Sequence, residues 1–261
     1  MFTIFYKALL VFVLLKVLFL WPTFTEVCAF NPFEPGNPFT RLLWLPGYLV
    51  KIDGRIFLVL VALVCGVGIA RPLVWWYAVL IVWLSATLSR LTFPLINGSD
   101  LVLNLFLALG ALYVIAGRWL KTGFPWQSVV FLVAQIQVAL VYALSGYDKL
   151  ISTAWRSGDA LFSVLHLMYY RGDDPATLPA PALLHLTSWG VIIFELSFPM
   201  FIWFVPWRWL LLALGIAFHL AIAVLLHLPD FGVLMMIPYL LFLPARWLKP
   251  SAMPIPVSGG N

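Results

Sequence analysis

The sequence predicts an all-α protein, a polytopic helical membrane bundle of about eight spans. Three observations lead there. Apolar residues make up 64% of the chain and charged residues 10%, a balance outside the range of water-soluble domains. The mean hydropathy is +1.04. The apolar residues fall into runs approaching about 20, the length that crosses a hydrocarbon core, and clusters of proline, glycine and charge separate the runs. In 261 residues there is room for one membrane domain, residues 1–249. A tail at 250–261 is expected to be disordered, and no second soluble domain fits.

The first span is Ile4 to Trp21. Its apolar run is long and no small-x-small cleavage site follows directly, so it reads as a retained helix rather than a signal peptide. Lys7 and Lys16 interrupt it, each close enough to an end to snorkel. Residues 22–55 form the longest connection. Pro22, Pro32, Pro35, Pro38 and Pro46 forbid a long helix there, and the texture NPFEPGNPFTRLLWLPGYL suits an interfacial loop. Spans two and three, Ile56 to Ala70 and Pro72 to Ser89, meet at a tight Arg71-Pro72 turn, with Pro72 expected in the first helical turn. Asp100 is expected to cap the fourth span, Leu101 to Gly117. The fifth, Gln127 to Gly146, continues into the segment of Lys149. Residues 157–170 suit a short amphipathic surface helix, and a polar, proline-rich turn follows from Arg171 to Pro181. Spans six and seven are Leu183 to Phe204 and Trp207 to His227. The eighth, Phe231 to Leu243, is too short for a full bilayer and reads as a thin-region or partly re-entrant helix.

Eight spans put both termini on one side. The connections then divide Lys and Arg evenly, seven to each side. One set (Lys7, Arg71, Arg118, Lys121, Arg208, Arg246, Lys249) lies on short loops and helix ends with no acid among them, while nine acids lie opposite. Short basic loops stay in the cytoplasm. The expectation is a multi-pass protein of the bacterial inner membrane, both termini cytoplasmic and the Lys149 end outside. A net charge of +5 without a basic run gives no nucleic-acid partner. Cys28 and Cys65 form no Cys-x-x-Cys, which argues against thiol–disulfide chemistry.

One stretch departs from this apolar background: Gln135 to Gly158, QIQVALVYALSGYDKLISTAWRSG. Gln135, Tyr142 and Lys149 are spaced by seven, so they share one helix face with about 20° of drift per step. Lys149 lies about 21 Å along the axis from Gln135. A polar stripe therefore crosses lipid depth and ends in an amine. Groups at that depth face a bundle interior or a cavity. Lys149 suits a general base or a cation that holds an anionic substrate; the plainer alternative is an interfacial lysine paired with Asp148 or Asp159. Glu195 lies mid-span, where an acid suits a proton relay or a substrate contact, or a structural partner for Lys16, Arg208 or a tyrosine hydroxyl. Pro199, four residues on, removes the N–H for one backbone carbonyl. His219 is mid-span as well, able to titrate near neutral pH, or to serve as a hydrogen-bonded core residue. His227 lies about 12 Å farther along the same helix, and His166 and His185 lie at span ends, so no metal site is expected.

The order and spacing of Gln137, Tyr142, Gly146, Lys149-Leu150, Trp155 and Gly158 resemble the HTTM (horizontally transferred transmembrane) family. That family includes the membrane domain of vitamin K-dependent gamma-glutamyl carboxylase and its bacterial relatives. Glu195-Leu196-Ser197, Phe218-His219 and the run FGVLMMIPYLLF follow in the family's order. The resemblance is strongest from Gln135 to Arg246 and weak before Pro72. It implies a helical bundle with an active site toward the outer face. In the animal carboxylase a lysine deprotonates a reduced quinone. The oxygenated quinone then removes a glutamate gamma-proton, and carbon dioxide adds. Lys149 matches that lysine and would be the quinol base. The family's Asn-His pair is matched here by Asn97-Gly98-Ser99-Asp100, without the histidine. The large domain that binds the carboxylase's peptide substrate has no counterpart. These departures weigh against gamma-carboxylation itself, though not against the fold; quinol binding by a stripped membrane core survives them better.

The resulting expectation is a quinol-dependent membrane enzyme acting on a peptide or small substrate. Lys149 would be the base, with Glu195 and His219 completing the polar centre. Gln135, Gln137, Tyr142 and Trp155 would contact a reduced quinone of menaquinone or vitamin K type. The alternative is a non-catalytic membrane protein in peptide export, maturation or immunity, or a quinone- or lipid-binding accessory subunit. A transporter ranks third, since no inverted repeat or matched pair of broken helices is evident.

Overall fold

The computed structural model describes residues 1–29, 48, 53–92, 98–120, 123–169 and 180–244, with backbone alone at 166–169. Every regular element among them is helical. In chain order they are α1 (Phe2–Leu20), α2 (Phe24–Ala29), α3 (Gly54–Ala70), α4 (Trp75–Leu91), α5 (Gly98–Trp119), α6 (Trp126–Ile151), α7 (Thr153–Ser157), α8 (Asp159–Tyr169), α9 (Pro181–Phe201), α10 (Val205–Leu225) and α11 (Pro229–Met236). A 3₁₀ turn, Ile237–Phe242, continues α11. Five helices (α1, α5, α6, α9 and α10) are long and apolar enough to cross a membrane. Helices α3, α4 and the α11–3₁₀ segment are apolar but shorter. At about 1.5 Å per α-helical and 2.0 Å per 3₁₀ residue, the last spans about 24 Å, short of a hydrocarbon core. The expected tail at 250–261, the turn through 171–179, Asn97 and most of the 22–55 connection lie outside the described residues.

Hydrophobic periodicity accounts for the packing. On α1 the buried residues Phe2, Phe5, Tyr6, Leu9, Leu10, Val13 and Val17 recur every three or four positions, one face of a helix. That face packs on α3, α5 and the 3₁₀ turn. Phe5 meets Phe106 of α5 edge to face at 5.5 Å, and Phe2 stacks on Tyr113 at 4.1 Å. Helix α4 pairs with α5, α6 with α9, and α10 with α11. Small residues set the closest approaches, as in membrane bundles generally. A Cβ on Gly146 would lie 3.0 Å from Cβ of Glu195 and 3.1 Å from Leu196. Gly146→Val is therefore expected to push α6 and α9 apart and cost about 1–3 kcal/mol, read as a lowered midpoint of unfolding in detergent. An unchanged midpoint would mean the two helices part freely.

Three expectations at helix ends are corrected. Pro72 lies outside a helix: Arg71, Leu73 and Val74 connect α3 to α4, and α4 begins at Trp75. Arg71 is extended (ψ 162°), as a residue before proline is driven to be, and the β-branched Val74 stays extended as well (ψ 148°). Asp100 does not cap α5. The helix already starts at Gly98, and the carboxylate is turned inward, where it meets Lys16 of α1. Lys16 consequently does not snorkel; its side chain is 11% exposed. This pair anchors a buried polar row between α1, α4 and α5. Ser89 Oγ lies 3.0 Å from Asp100 Oδ1, Asn104 Nδ2 donates to Ser89 Oγ at 2.9 Å, and Ser85 Oγ donates to Asn104 Oδ1 at 2.7 Å. Desolvating these groups in lipid is tolerable only because each finds a polar neighbour.

Candidate functional site

The polar stripe of α6 faces the bundle where α9, α10 and α11 converge. It borders a cavity of about 370 Å³, within the range of small-molecule sites. Its walls are mainly leucine, valine and phenylalanine, and its polar lining comes chiefly from Tyr142, Ser145, Lys149, Glu195 and His219. Trp155 stands at the Lys149 end. Two lining residues of α9, Leu183 and Thr187, and two of α10, Ala221 and Leu225, are exposed on the outside of the bundle. The cavity thus opens sideways between α9 and α10.

The first polar group is an ion pair. Lys149 Nζ hydrogen-bonds Glu195 Oε1 at 3.0 Å and lies 2.8 Å from Oε2. Ser145, one turn before Lys149 on α6, accepts from the amine at 2.6 Å and donates to Glu195 Oε1 at 3.2 Å. The i, i+4 spacing puts both side chains on one face, and glycine at position 146 lets the α9 carboxylate come within their reach. Glu195 is 4% exposed, and its Oε2 has no hydrogen bond despite its distance from the amine. Oε2 keeps an open lone pair. The Lys149 amine also lies 5.0 Å from the Trp155 ring, a cation–π placement. Asp148 is exposed and does not meet Lys149.

Trp155 is held in place by backbone geometry. Ser152 caps α7 by accepting from the Trp155 N–H. Ser188 of α9 donates to the Trp155 carbonyl at 2.6 Å. Gly158 then turns the chain into α8 at φ 86°, with the His185 backbone where a Cβ would sit. Only glycine meets both demands cheaply.

The second polar group lies deeper along α6. Tyr142, 2% exposed, shares its hydroxyl with His219 Nε2 at 2.6 Å and with the Tyr239 hydroxyl. Its ring stacks on Phe198 at 4.1 Å. Gly215 of α10 leaves the space that the Tyr239 hydroxyl fills, and a Cβ on Gly232 would lie 2.5 Å from the His219 carbonyl oxygen. Two glycines therefore let α10 and α11 interlock and fix both ends of the row. His219 is 1% exposed, and its Nδ1 is buried without a partner. A buried ring nitrogen left open beside a cavity is an unmet hydrogen-bonding group.

Of the residues singled out in the sequence, Tyr142, Lys149, Trp155, Glu195 and His219 line this one cavity, whereas Gln135 and Gln137 do not. Gln135 donates to the Leu241 carbonyl at 2.8 Å and thereby ties α6 to the 3₁₀ turn. Gln137 is half-buried on α6. Glu195 takes neither Lys16 nor Arg208 as partner; Arg208 donates to the carbonyls of Ile202 and Trp203. Tyr239 and Ser145 join the site as further polar members. Tyr239 had one signal in sequence: it is the only polar side chain in the run FGVLMMIPYLLF. Among the described residues, no three of His, Cys, Asp and Glu are grouped to hold a metal ion.

Chemically, the cavity offers an ammonium beside a carboxylate with an open oxygen, and an imidazole backed by two hydroxyls. Such a site can bind a hydroxyl- or carbonyl-bearing apolar molecule and move a proton at either polar group. Comparison of the chain with models of known protein families, with curated proteins and with solved structures finds no significant match.

Proposed function

We propose that this chain is a quinol-dependent membrane enzyme whose chemistry on a peptide or small substrate takes place at the Lys149 end of the bundle. The observation that carries the reading is the placing of Lys149, Glu195 and His219, three groups able to exchange a proton, on one otherwise apolar cavity that opens on the side of the bundle. The resemblance of the Gln137–Gly158 segment to the HTTM family, carried in part by the same Tyr142, Lys149 and Trp155, is what points to a quinol. The residues fit a reduced quinone in three respects. The walls match a flat apolar ring, the partnerless His219 Nδ1 and the Lys149-paired Glu195 Oε2 can each meet a ring oxygen substituent, and the side opening gives a hydrocarbon tail a way into lipid.

When bound, a quinol supplies electrons and an acidic hydroxyl for reaction with a second molecule. The chain's own groups do the rest. Lys149 and Glu195 would act as a unit, the pair taking up a proton at Glu195 or the amine while the ammonium offers a positive charge to an adjacent oxygen. Ser145 orients the pair. His219 holds a second oxygen, and the Tyr142–Tyr239 hydroxyls fix its ring. Leucines from α8 and α9 exclude water, which strengthens each of these interactions. In this reading the Lys149 end faces outside and both termini lie in the cytoplasm of a bacterial inner membrane, an orientation supported by the acid-free set of basic loops.

A second reading is favoured by one observation. Lys149 and Glu195 neutralise each other, as a purely structural pair in a quinone- or lipid-binding accessory protein, or in a peptide-maturation or immunity protein, would do. The deciding measurement is titration of the purified protein with menaquinone and ubiquinone analogues. Saturable binding, weakened about tenfold or more in Lys149→Ala, is expected, together with an oxidised or otherwise modified product. No binding to either protein would sink the quinol reading; binding without turnover would favour the accessory one.

A further inference from the structure

A second cavity lies at the opposite end of α6. It has a volume of about 410 Å³ and is lined by the starts of α1, α4 and α6 and the end of α5. Gln127 marks this end of α6 and Lys149 the other. From Gln127 to Lys149 the helix rises about 33 Å, one hydrocarbon thickness, so a membrane-spanning α6 sets the two cavities toward opposite faces.

We propose that this second cavity binds an anionic phospholipid, with its phosphate on Arg118 and an acyl chain in the crevice. Arg118 lines the cavity at an exposed position, and among the described residues its guanidinium meets no carboxylate and lies 6.0 Å from the Trp119 ring. Acids are absent from this end among the described residues. Glu26, Asp53, Asp100, Asp148, Asp159 and Asp230 fall at helix ends on the other side, and Glu195 lines the first cavity.

The remaining lining matches the rest of the lipid. Phe2, Leu73, Val74 and Val114 supply apolar walls. Gly110 and Gly117 of α5 leave room for the Tyr6 ring and the Gln127 amide that border the crevice. Tyr6, 1% exposed, borders the crevice with a hydroxyl that has no partner. Helices α1, α4 and α6 all begin here, and none has a side-chain cap. Their first N–H groups and positive dipole ends favour an anion at this spot. Trp75 and Trp119 pack edge to face at 6.1 Å, and Phe124 lies 4.6 Å from Trp126. Such an aromatic belt marks headgroup depth. A basic crevice between helices at that depth suits an anionic headgroup.

The test uses the full chain in detergent. Phosphatidylglycerol, phosphatidylcholine and inorganic phosphate are added separately. Lipid retention is read by native mass spectrometry and stability by melting. Wild type is expected to retain phosphatidylglycerol preferentially and to melt higher with it. Arg118→Gln should weaken retention about fivefold. Val114→Trp, which fills the crevice and keeps the charge, should abolish it. Both variants should melt cooperatively in phosphatidylcholine. Equal retention of the two lipids by wild type would overturn the proposal, even if the variants failed to fold. So would undiminished retention by both variants. Stabilisation by inorganic phosphate equal to that by phosphatidylglycerol would assign the site to a soluble anion instead, and so overturn it too.

Discussion

Glu195→Ala, with Lys149 left in place, is expected to destabilise the protein by about 3–5 kcal/mol. The substitution strands an amine whose side chain is 16% exposed beside a 6% exposed partner. The Trp155 face and the Ser145 hydroxyl cannot replace a carboxylate. Lys149→Met combined with Glu195→Leu removes both charges and fills similar volume, so its stability should return close to that of wild type or exceed it. Unfolding in detergent, followed by tryptophan fluorescence, measures both. The informative result is the double variant's ligand binding. If the pair anchors a bound hydroxyl, quinol binding disappears in a protein that is fully folded. A stable double variant that still bound quinol would show that the pair is scaffolding and not part of the site.

Asp100→Leu is expected to cost as much, about 3–5 kcal/mol, for a related reason and with a different functional outcome. Asp100 is 2% exposed, and its loss strands Lys16 inside the α1–α4–α5 interface. Ser89 would lose an acceptor with it. Lys16→Met with Asp100→Leu should restore stability and leave quinol binding unchanged, because neither residue borders the α6 cavity. Two buried ion pairs thus share one stability signature and part company in binding. Loss of binding in the Lys16–Asp100 double variant would mean that the polar row beneath α4 is coupled to the cavity. The contact of Phe231 with Gly98 is the evident route, since Phe231 lines the cavity and would lie 3.3 Å from a Cβ on Gly98.

These pairs also mark where sequence reading stopped. The long helices were legible, because an apolar run of helical length with proline at its ends has few other outcomes in lipid. The stripe on α6 was legible too, since seven-residue spacing fixes a face without knowledge of the neighbours. Partners across helices were not. Glu195 is 46 residues from Lys149, and its sequence context fits a tyrosine, Lys16 or Arg208 equally well. Asp100 fits a helix cap by local rules, and only the antiparallel packing of α1 on α5 reveals Lys16 as its partner. Gln135 shares the face of Tyr142, yet its amide is taken by the Leu241 carbonyl, a backbone group that no side-chain pattern announces. Tyr239 stands out as the one polar side chain of its run, but nothing local names Tyr142 as its partner.

The hydroxyl row has a consequence for how the protein is made. Tyr142 and His219 belong to helices synthesised before α11, whereas Tyr239 follows it. A nascent chain halted near Leu228 would expose to lipid a tyrosine hydroxyl short of one partner, an open notch at Gly215 and the uncovered backbone of His219. The α11–3₁₀ segment carries few polar groups and is short, so its insertion draws little on hydrophobic length. Its docking draws instead on the vacancy left by the earlier helices: Gly232 against the His219 carbonyl, Tyr239 into the notch, Leu241 onto Gln135. Docking of this segment would then be a locking step, in which an element made after its seat recognises it by shape and by an unfinished hydrogen-bond row.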